Sequence, residues 1–218
     1  MMGLNNKGKA GCGCLIFLLV LCMVLVALFI HPVSLKFLAG RLVFADPIVP
    51  SDALYVPRFL EDKNGEVYLD AFKEYLAGNG KAICIEDDQV LGVSIKEIVG
   101  RMAKQRGIKE DAIKKVEVGI EGEAAAAKVQ EFFSRLGAKK VIILVPEYAS
   151  RRFHLMFGDA DSPGKVIFLV KPVPVSYFKK EKWWGNESSR AAIQREGYSL
   201  GAVLFSRFKY GAQDNQKQ

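Results

Sequence analysis

The sequence of 218 residues lacks the short motifs that mark common catalytic and nucleotide-binding sites. It has no G-x-G-x-x-G turn after a strand, no Walker loop, no H-E-x-x-H, no C-x-x-C and no G-x-S-x-G elbow joining a strand to a helix. Gly78-Asn79-Gly80-Lys81 is glycine-rich, but it precedes an apolar run, where the helix dipole of a phosphate loop would be missing. Function is therefore predicted only to the level of a class.

Histidine and cysteine are scarce, which limits the catalytic groups and disulfides that the chain can form. The two histidines are His31 and His154, so a Ser-His-Asp relay would have to use His154, whose neighbours are apolar. Cys84 is the only cysteine beyond the first 22 residues, so an exported domain would carry no internal disulfide. The sequence predicts no metal site and no cofactor.

Acidic residues are missing from the first 45 positions, although the whole chain has 24 of them. Basic residues outnumber acidic ones in the last third, but they form no dense stripe and match no nucleic-acid module. The sequence therefore predicts no nucleic-acid partner. A basic excess of this kind attracts anionic ligands or lipid headgroups, or simply covers solvated helix faces.

An uncharged apolar stretch is the most informative feature of the N-terminal region. Ala10 to Ile30 has the length needed to cross the hydrocarbon core of a bilayer, and Lys7 and Lys9 precede it. A secretory signal peptide is the alternative, but no clean cleavage site follows Ile30. We expect a short tail over 1–9, a transmembrane signal anchor over 10–30 and a juxtamembrane linker over 31–50. The predicted location is the bacterial inner membrane, single-pass, with the C-terminal domain periplasmic or extracellular.

The rest of the chain alternates between two periodicities. Short runs are apolar on successive residues, as in strands buried on both faces: Ala53 to Val56, Ala82 to Ile85, Val116 to Val118, Val141 to Val145, and Val166 to Val170. Apolar residues at helical spacing separate or follow these runs: Leu69, Phe72 and Leu76; Ile95, Ile98, Val99 and Met102; Ala125, Val129, Phe132, Phe133 and Leu136; and Ile193, Gly197, Leu200, Leu204 and Phe208.

This alternation predicts an α/β fold over 51–210, followed by a disordered tail over 211–218. We expect a Rossmann-like, open, mainly parallel five-stranded sheet with helices on both faces, preceded by the N-terminal transmembrane helix. Gly137 is the expected left-handed end of the longest apolar stripe.

Ligands of such sheets bind beyond the carboxyl ends of the strands. The candidate ligand-binding residues are those that follow the predicted strands: Arg58, Glu86, Asp88, Glu123, Glu147, Ser150, Arg151 and Arg152.

Each candidate also has a structural interpretation. Glu86-Asp87-Asp88 offers oxygen ligands to magnesium or calcium, or forms an acidic loop that turns into the next helix, and the second interpretation is favoured. Glu123 is explained by helix capping without a ligand. Glu147 to Arg152 offers helix amides and two guanidinium groups to a phosphate or carboxylate, or forms an ordinary strand-to-helix turn with solvated arginines.

Most of Asp52 to Phe208 resembles the SanA/YdcF/ElyC-like family of bacterial envelope proteins, a domain of unknown function, whose first strand opens with an acidic residue, as in Ser51 to Leu54 here. Val145 to Arg152 is similar to the family's late-strand element, and Trp183-Trp184 with Arg190 and Glu196 is similar to its C-terminal part. The chain departs from the family pattern where Val56 to Phe59 replaces a glycine loop, where Glu86 to Asp88 replaces a Ser-Gly-Gly turn, and where Ala149 or Ser150 replaces a histidine. The resemblance implies the fold and an envelope context.

Two functional hypotheses follow from these features. The first is a non-catalytic binding or scaffold module in cell-envelope or polysaccharide biogenesis. The second is a hydrolase or transferase that acts on an anionic, phosphorylated envelope precursor. The expected partners are the membrane, through Ala10 to Ile30, and an anionic small molecule or lipid-linked sugar.

Overall fold

A computed structural model describes the backbone of residues 7–90, 92–118, 123–158 and 165–214. Side chains are described for the same ranges except residues 7–14, 25, 29, 30, 90, 123 and 210–214.

A five-stranded parallel sheet forms the centre of the domain, as the apolar runs predict. Its strands are β1 (Ala53–Val56), β2 (Ile83–Glu86), β5 (Ile113–Val116), β6 (Lys140–Pro146) and β7 (Ile167–Val173), and a separate antiparallel hairpin consists of β3 (Gln89–Val90) and β4 (Val93–Ser94). The strand order in the sheet is β5-β2-β1-β6-β7, and every neighbouring pair is parallel. The central strands β1 and β6 are buried along almost their whole length, which explains their unbroken apolar sequence.

Seven α-helices accompany the strands in the described part of the chain. They are α1 (Lys7–Ile30), α2 (Pro32–Leu42), α3 (Glu66–Leu76), α4 (Ile95–Lys104), α5 (Glu123–Arg135), α6 (Ser150–Phe157) and α7 (Glu187–Asp214), and short 3-10 turns cover Glu110–Ala112, Glu147–Ala149 and Lys180–Gly185. Gly137 follows α5 with a φ of 72°, the left-handed conformation expected of it.

Helices cover both faces of the sheet. Phe168 of β7 contacts the rings of Phe133 in α5 and Phe157 in α6. Lys171, three residues further along the same strand, binds Asp70 and Glu74 of α3. Since side chains alternate along a strand, α5 and α6 lie on one face and α3 lies on the other.

The third parallel strand lies three residues before its predicted position. The prediction placed it at Val116 to Val118, whereas β5 spans Ile113–Val116 and includes Lys114 and Lys115. This strand is at the edge of the sheet, so its side chains are not all buried, and a search for continuous apolar runs misses it.

The predicted apolar stripe of α7 is buried only in part, since its Gly197 is exposed. Ile193 is buried and Leu200 packs against the core, but Leu204 is 51% exposed and Phe208 is 78% exposed. Ala192, Glu196 and Val203 are buried, so the buried face of α7 is rotated from the predicted stripe. Leu76 of α3, predicted on a buried face, is 60% exposed. Leu76 is the last residue of α3.

Helix α1 covers the segment expected to span the membrane over residues 10–30, but its side chains at 10–14, 25, 29 and 30 lie outside the described residues. Among the residues with described side chains, no single helix is long and apolar enough to cross a membrane. Leu15–Leu28 and Pro32–Leu42 are long and apolar enough to cross a membrane only when taken together, and their axes are bent by 59°. Helix α2 occupies the segment expected to be a linker, and its Ala39 and Leu42 are buried in the core of the domain.

Candidate ligand-binding cleft

A cleft of about 1080 Å³ lies at the carboxyl edge of the sheet. Its walls come from the segments that follow β1 and β2 and from helices α5, α6 and α7. The strand order reverses between β1 and β6, so the loops after these two strands run in opposite directions and leave a crevice. This is the position at which open parallel sheets bind their ligands.

One rim of the cleft is organised around Glu86, at the end of β2. Its carboxylate accepts hydrogen bonds from the Tyr55 hydroxyl and from the backbone N–H of Arg58, the latter at 3.0 Å. The Arg58 guanidinium forms an ion pair with Asp88. The Nε of Arg58 is buried and has no hydrogen-bond partner among the described residues. A buried donor of this kind needs an acceptor, from a ligand or from water.

Asp87 sits between these two carboxylates but serves a structural purpose. It accepts hydrogen bonds from the Ser94 hydroxyl at 2.6 Å and the Lys96 backbone N–H at 3.0 Å, and it lies 3.4 Å from the Lys115 ammonium. Burial opposes ionisation of Asp87, but these donors outweigh it and lower the pKa of the carboxyl. Asp87 therefore fixes the start of α4 against the sheet.

The opposite rim is built from α6 and α7. The Nε of Arg152 donates to both carboxylate oxygens of Glu196, at 2.9 and 3.1 Å, and the guanidinium lies 4.8 Å above the Phe153 ring. Glu196 is only 3% exposed. Burial raises the pKa of its carboxyl, and the charge of Arg152 opposes that rise only in part.

A third ion pair joins the two rims of the cleft. Arg195 of α7 binds Glu61, which belongs to the segment after β1. Each arginine that lines the cleft, Arg58, Arg152 or Arg195, thus has a carboxylate partner.

Aromatic side chains form the floor and walls of the cleft. The Tyr148 hydroxyl lies 3.5 Å from that of Tyr177, and burial raises the pKa of both phenols. Burial likewise raises the pKa of Tyr55. These hydroxyls therefore stay protonated at neutral pH. The aromatic residues that line the cleft are Tyr55, Phe59, Tyr148, Phe153, Phe157 and Tyr198.

Four of the predicted site residues line this cleft: Arg58, Glu86, Asp88 and Arg152. Glu147, Ser150 and Arg151 do not line it. Glu123 is the first residue of α5, but its side chain lies outside the described residues.

The three residues outside the cleft have other contacts. The buried Ser150 hydroxyl accepts the backbone N–H of Phe44 at 2.7 Å and donates to the Glu147 carbonyl at 2.8 Å. Arg151 donates from Nε to the Arg41 carbonyl at 3.2 Å and lies 5.1 Å above the Phe44 ring. Both residues attach the chain after α2 to α6. Burial raises the pKa of Glu147.

His154 also lies outside the cleft lining. Its ring stacks on Phe44 at a centroid distance of 3.6 Å, and its Nδ1 lies 4.0 Å from the Asp46 carboxylate. This packed arrangement agrees with the apolar neighbours of His154 in the sequence.

Sequence reasoning missed the contribution of α7 except where the family resemblance singled out Glu196. A usable signal exists, because Glu196 falls three residues after Ile193 and four before Leu200, which is the buried face of the helix. A charged residue on a buried face needs a partner and so marks a site worth examining. Arg195 and Glu61 carry no such signal.

Gly197-Tyr198-Ser199-Leu200-Gly201 matches the letters of the G-x-S-x-G motif, and Ser199 lines the cleft. The five residues lie inside α7, so Ser199 is not on the strained strand-to-helix turn that exposes a serine nucleophile. The match does not indicate a hydrolase.

Within the described part of the chain, no group of three or more His, Cys, Asp or Glu residues is arranged to hold a metal ion. No family model, curated protein or solved structure matches the chain.

Proposed function

We propose that the chain is a membrane-anchored, extracytoplasmic α/β protein that binds a small polar ligand without transforming it, in cell-envelope or polysaccharide biogenesis. The observation that carries the binding role is the cleft at the reversal of strand order, lined by three arginine–carboxylate pairs and by aromatic rings. The envelope context is supported only by the resemblance to the SanA/YdcF/ElyC-like family.

The charge pattern favours an uncharged, hydroxyl-rich ligand such as a sugar. Three arginines line the cleft against five carboxylates: Glu61, Glu86, Asp87, Asp88 and Glu196. An anionic ligand would have to displace a carboxylate from its arginine and face the others. Hydroxyl groups instead both donate to carboxylates and accept from guanidinium groups, and tyrosine and phenylalanine rings offer apolar faces to a sugar ring.

A second candidate is the hydrolase or transferase that acts on an anionic, phosphorylated precursor. One observation favours it, namely the buried Arg58 Nε, which has no partner among the described residues and would suit a phosphate oxygen.

Membrane anchorage is supported by the surface of α1. The described large apolar side chains between Leu15 and Leu28 are 42% to 66% exposed, so the domain does not cover them. A contiguous apolar surface of this kind needs lipid or protein around it. Lys7 and Lys9 precede the apolar segment, and Lys36 and Arg41 follow it. With the N-terminal amine added to the first pair, we place the N-terminus in the cytoplasm and the domain outside.

Thermal unfolding of the full chain in detergent, with a panel of ligands, tests the binding role. The panel contains uncharged mono- and disaccharides, sugar phosphates, inorganic phosphate and nucleotides. A ligand present at a hundred times its dissociation constant stabilises the fold by about 2.7 kcal/mol, which gives a clear rise in Tm.

Two matched variants assign any stabilisation to the cleft. Arg195→Gln breaks the pair between the exposed Arg195 and the largely buried Glu61 inside the cleft, and Arg101→Gln breaks the exposed Arg101–Glu97 pair on α4. The rise in Tm is measured for each variant against the same variant without ligand, and only Arg195→Gln should reduce it. A rise with phosphates but not with uncharged sugars would support the second candidate, and no rise across the panel would overturn the binding role.

A further inference from the structure

Helix α2 is fixed to the domain although it follows directly after the apolar helix α1. Its Ala39 and Leu42 are buried in the core, and the indole Nε1 of Trp183 donates to the Leu35 carbonyl at 2.8 Å. On the other side, Ser150 and Arg151 bind the chain around the end of α2. The domain therefore does not hang on a flexible stalk, and its position follows that of α2.

The opposite face of α2 is apolar and exposed. Val33 is 68% exposed, Phe37 is 62% exposed and Leu38 is 49% exposed. The axes of α1 and α2 differ by 59°, so an α1 along the bilayer normal would incline α2 about 30° from the membrane plane. Amphipathic helices in the membrane interface place their apolar side chains at the boundary between headgroups and acyl chains.

Exposed cations lie on α2 and on the turn that contacts it, and the Arg41 guanidinium lies 4.8 Å above the Phe37 ring. Lys36 follows Leu35 in the sequence, and Lys182 precedes Trp183, the two residues joined by the hydrogen bond. All four cations, Lys36, Arg41, Lys179 and Lys182, are exposed. Glu181 is the acidic residue among them. Lysine and arginine attract anionic headgroups, and tryptophan favours the depth of the interface.

We propose that α2 and the Lys180–Gly185 turn form a membrane-surface contact that binds anionic lipid headgroups and holds the domain against the bilayer. This inference rests on the proposed membrane anchorage, since it needs α1 to be inserted. A lipid surface is favoured over a protein partner because the apolar face of α2 continues directly from α1 and carries cations at its edge.

Tryptophan fluorescence tests the contact with the full chain in lipid vesicles. The only two tryptophans are Trp183 and Trp184, so the whole signal comes from the proposed contact. Vesicles are prepared from phosphatidylcholine with or without phosphatidylglycerol, and brominated lipids serve as the quencher. We expect quenching in anionic vesicles and a reduction of the quenched fraction in neutral vesicles or at high salt.

A matched pair of double variants checks the role of the cations. Lys36→Gln with Lys182→Gln should reduce the quenched fraction by about twofold or more. Lys104→Gln with Lys109→Gln removes two exposed lysines on the α4 side of the domain and should leave quenching unchanged.

Vesicle flotation separates the failure of this inference from the failure of the anchorage. A chain that floats with the vesicles but shows no quenching would overturn the surface contact and leave the anchor intact. A chain that does not float would overturn the anchor, and the contact with it. A concentration-dependent dimer in detergent that Phe37→Asp abolishes, without lipid quenching, would assign the face to a second copy and overturn the proposal.

Discussion

The two sides of α6 show how one short helix serves two purposes. Ser150 and Arg151 face the chain around the end of α2, where both make hydrogen bonds to backbone groups. Arg152 and Phe153 face the cleft, where the arginine meets the buried Glu196. Neighbouring residues of a helix point about 100° apart, so adjacent arginines reach different parts of the molecule. Helix α6 therefore connects the proposed membrane contact to the ligand-binding cleft.

The largest expected effect comes from the cleft side. Arg152→Met leaves the Glu196 carboxylate buried without its cation, which should cost about 3 kcal/mol in the free energy of unfolding. Chemical denaturation measures this loss. The double variant Arg152→Met with Glu196→Met should recover most of it, since an apolar pair replaces the buried ion pair. A loss below about 1 kcal/mol in the single variant would contradict the buried pair.

The deficit in the free energy of unfolding caused by Arg152→Met should depend on pH. Burial, with a smaller contribution from Glu61, raises the pKa of folded Glu196, and removing Arg152 takes away the charge that opposes this rise. A folded state with the higher pKa binds the proton more tightly than the unfolded state. Its stability therefore declines as pH rises from the ordinary pKa through the raised one. The deficit should be smaller at pH 5 than at pH 8, by about 1.4 kcal/mol for each unit of additional pKa shift.

Denaturation of wild type and variant at both pH values measures this dependence. With Glu196→Gln as the reference in place of wild type, adding Arg152→Met should cost the same stability at both pH values, because the titrating carboxyl is absent from both proteins. An equal deficit for Arg152→Met at pH 5 and pH 8 would show that Glu196 is not the group responsible.

On the α2 side, a smaller effect is expected from Ser150→Ala. The change removes the acceptor of the buried Phe44 N–H, which should cost about 1 kcal/mol in the free energy of unfolding. Ser134→Ala, at an exposed position of α5, is the control and should change stability by less than about 0.5 kcal/mol. Ligand-induced stabilisation should be unchanged in both variants. Its loss in Ser150→Ala would show that Ser150 contributes to ligand binding.

How much of the fold could be predicted depended on burial. Strands β1 and β6 are buried on both faces and stand out as apolar runs, whereas β5 lies at the edge with Lys114 and Lys115 and was misplaced. The order of the strands confirms the expected parallel sheet and locates the cleft.

The candidate site could be predicted only where it follows a strand directly. Arg58 and Glu86 were found in this way, because the ends of parallel strands meet at one edge of the sheet. The distinction between Arg151 and Arg152 depends on the rotation of α6 about its axis, which packing sets. Arg195 reaches the cleft because α7 folds back over an edge formed more than a hundred residues earlier, and no local pattern encodes that contact.

The smallest expected effect is that of Arg151→Ala, and its pattern sharpens the contrast with Arg152. The side chain makes one hydrogen bond to the Arg41 carbonyl and lies over the Phe44 ring, so its loss should cost about 0.5 kcal/mol in global stability. Because these contacts are with the end of α2 and the chain after it, amide hydrogen exchange there should accelerate more than in the strands. Arg151→Lys keeps the charge but loses the planar guanidinium, and it should restore exchange only in part. If Arg151→Ala instead abolished ligand-induced stabilisation and left exchange in α2 unchanged, Arg151 would belong to the cleft and the two sides of α6 would not be separate.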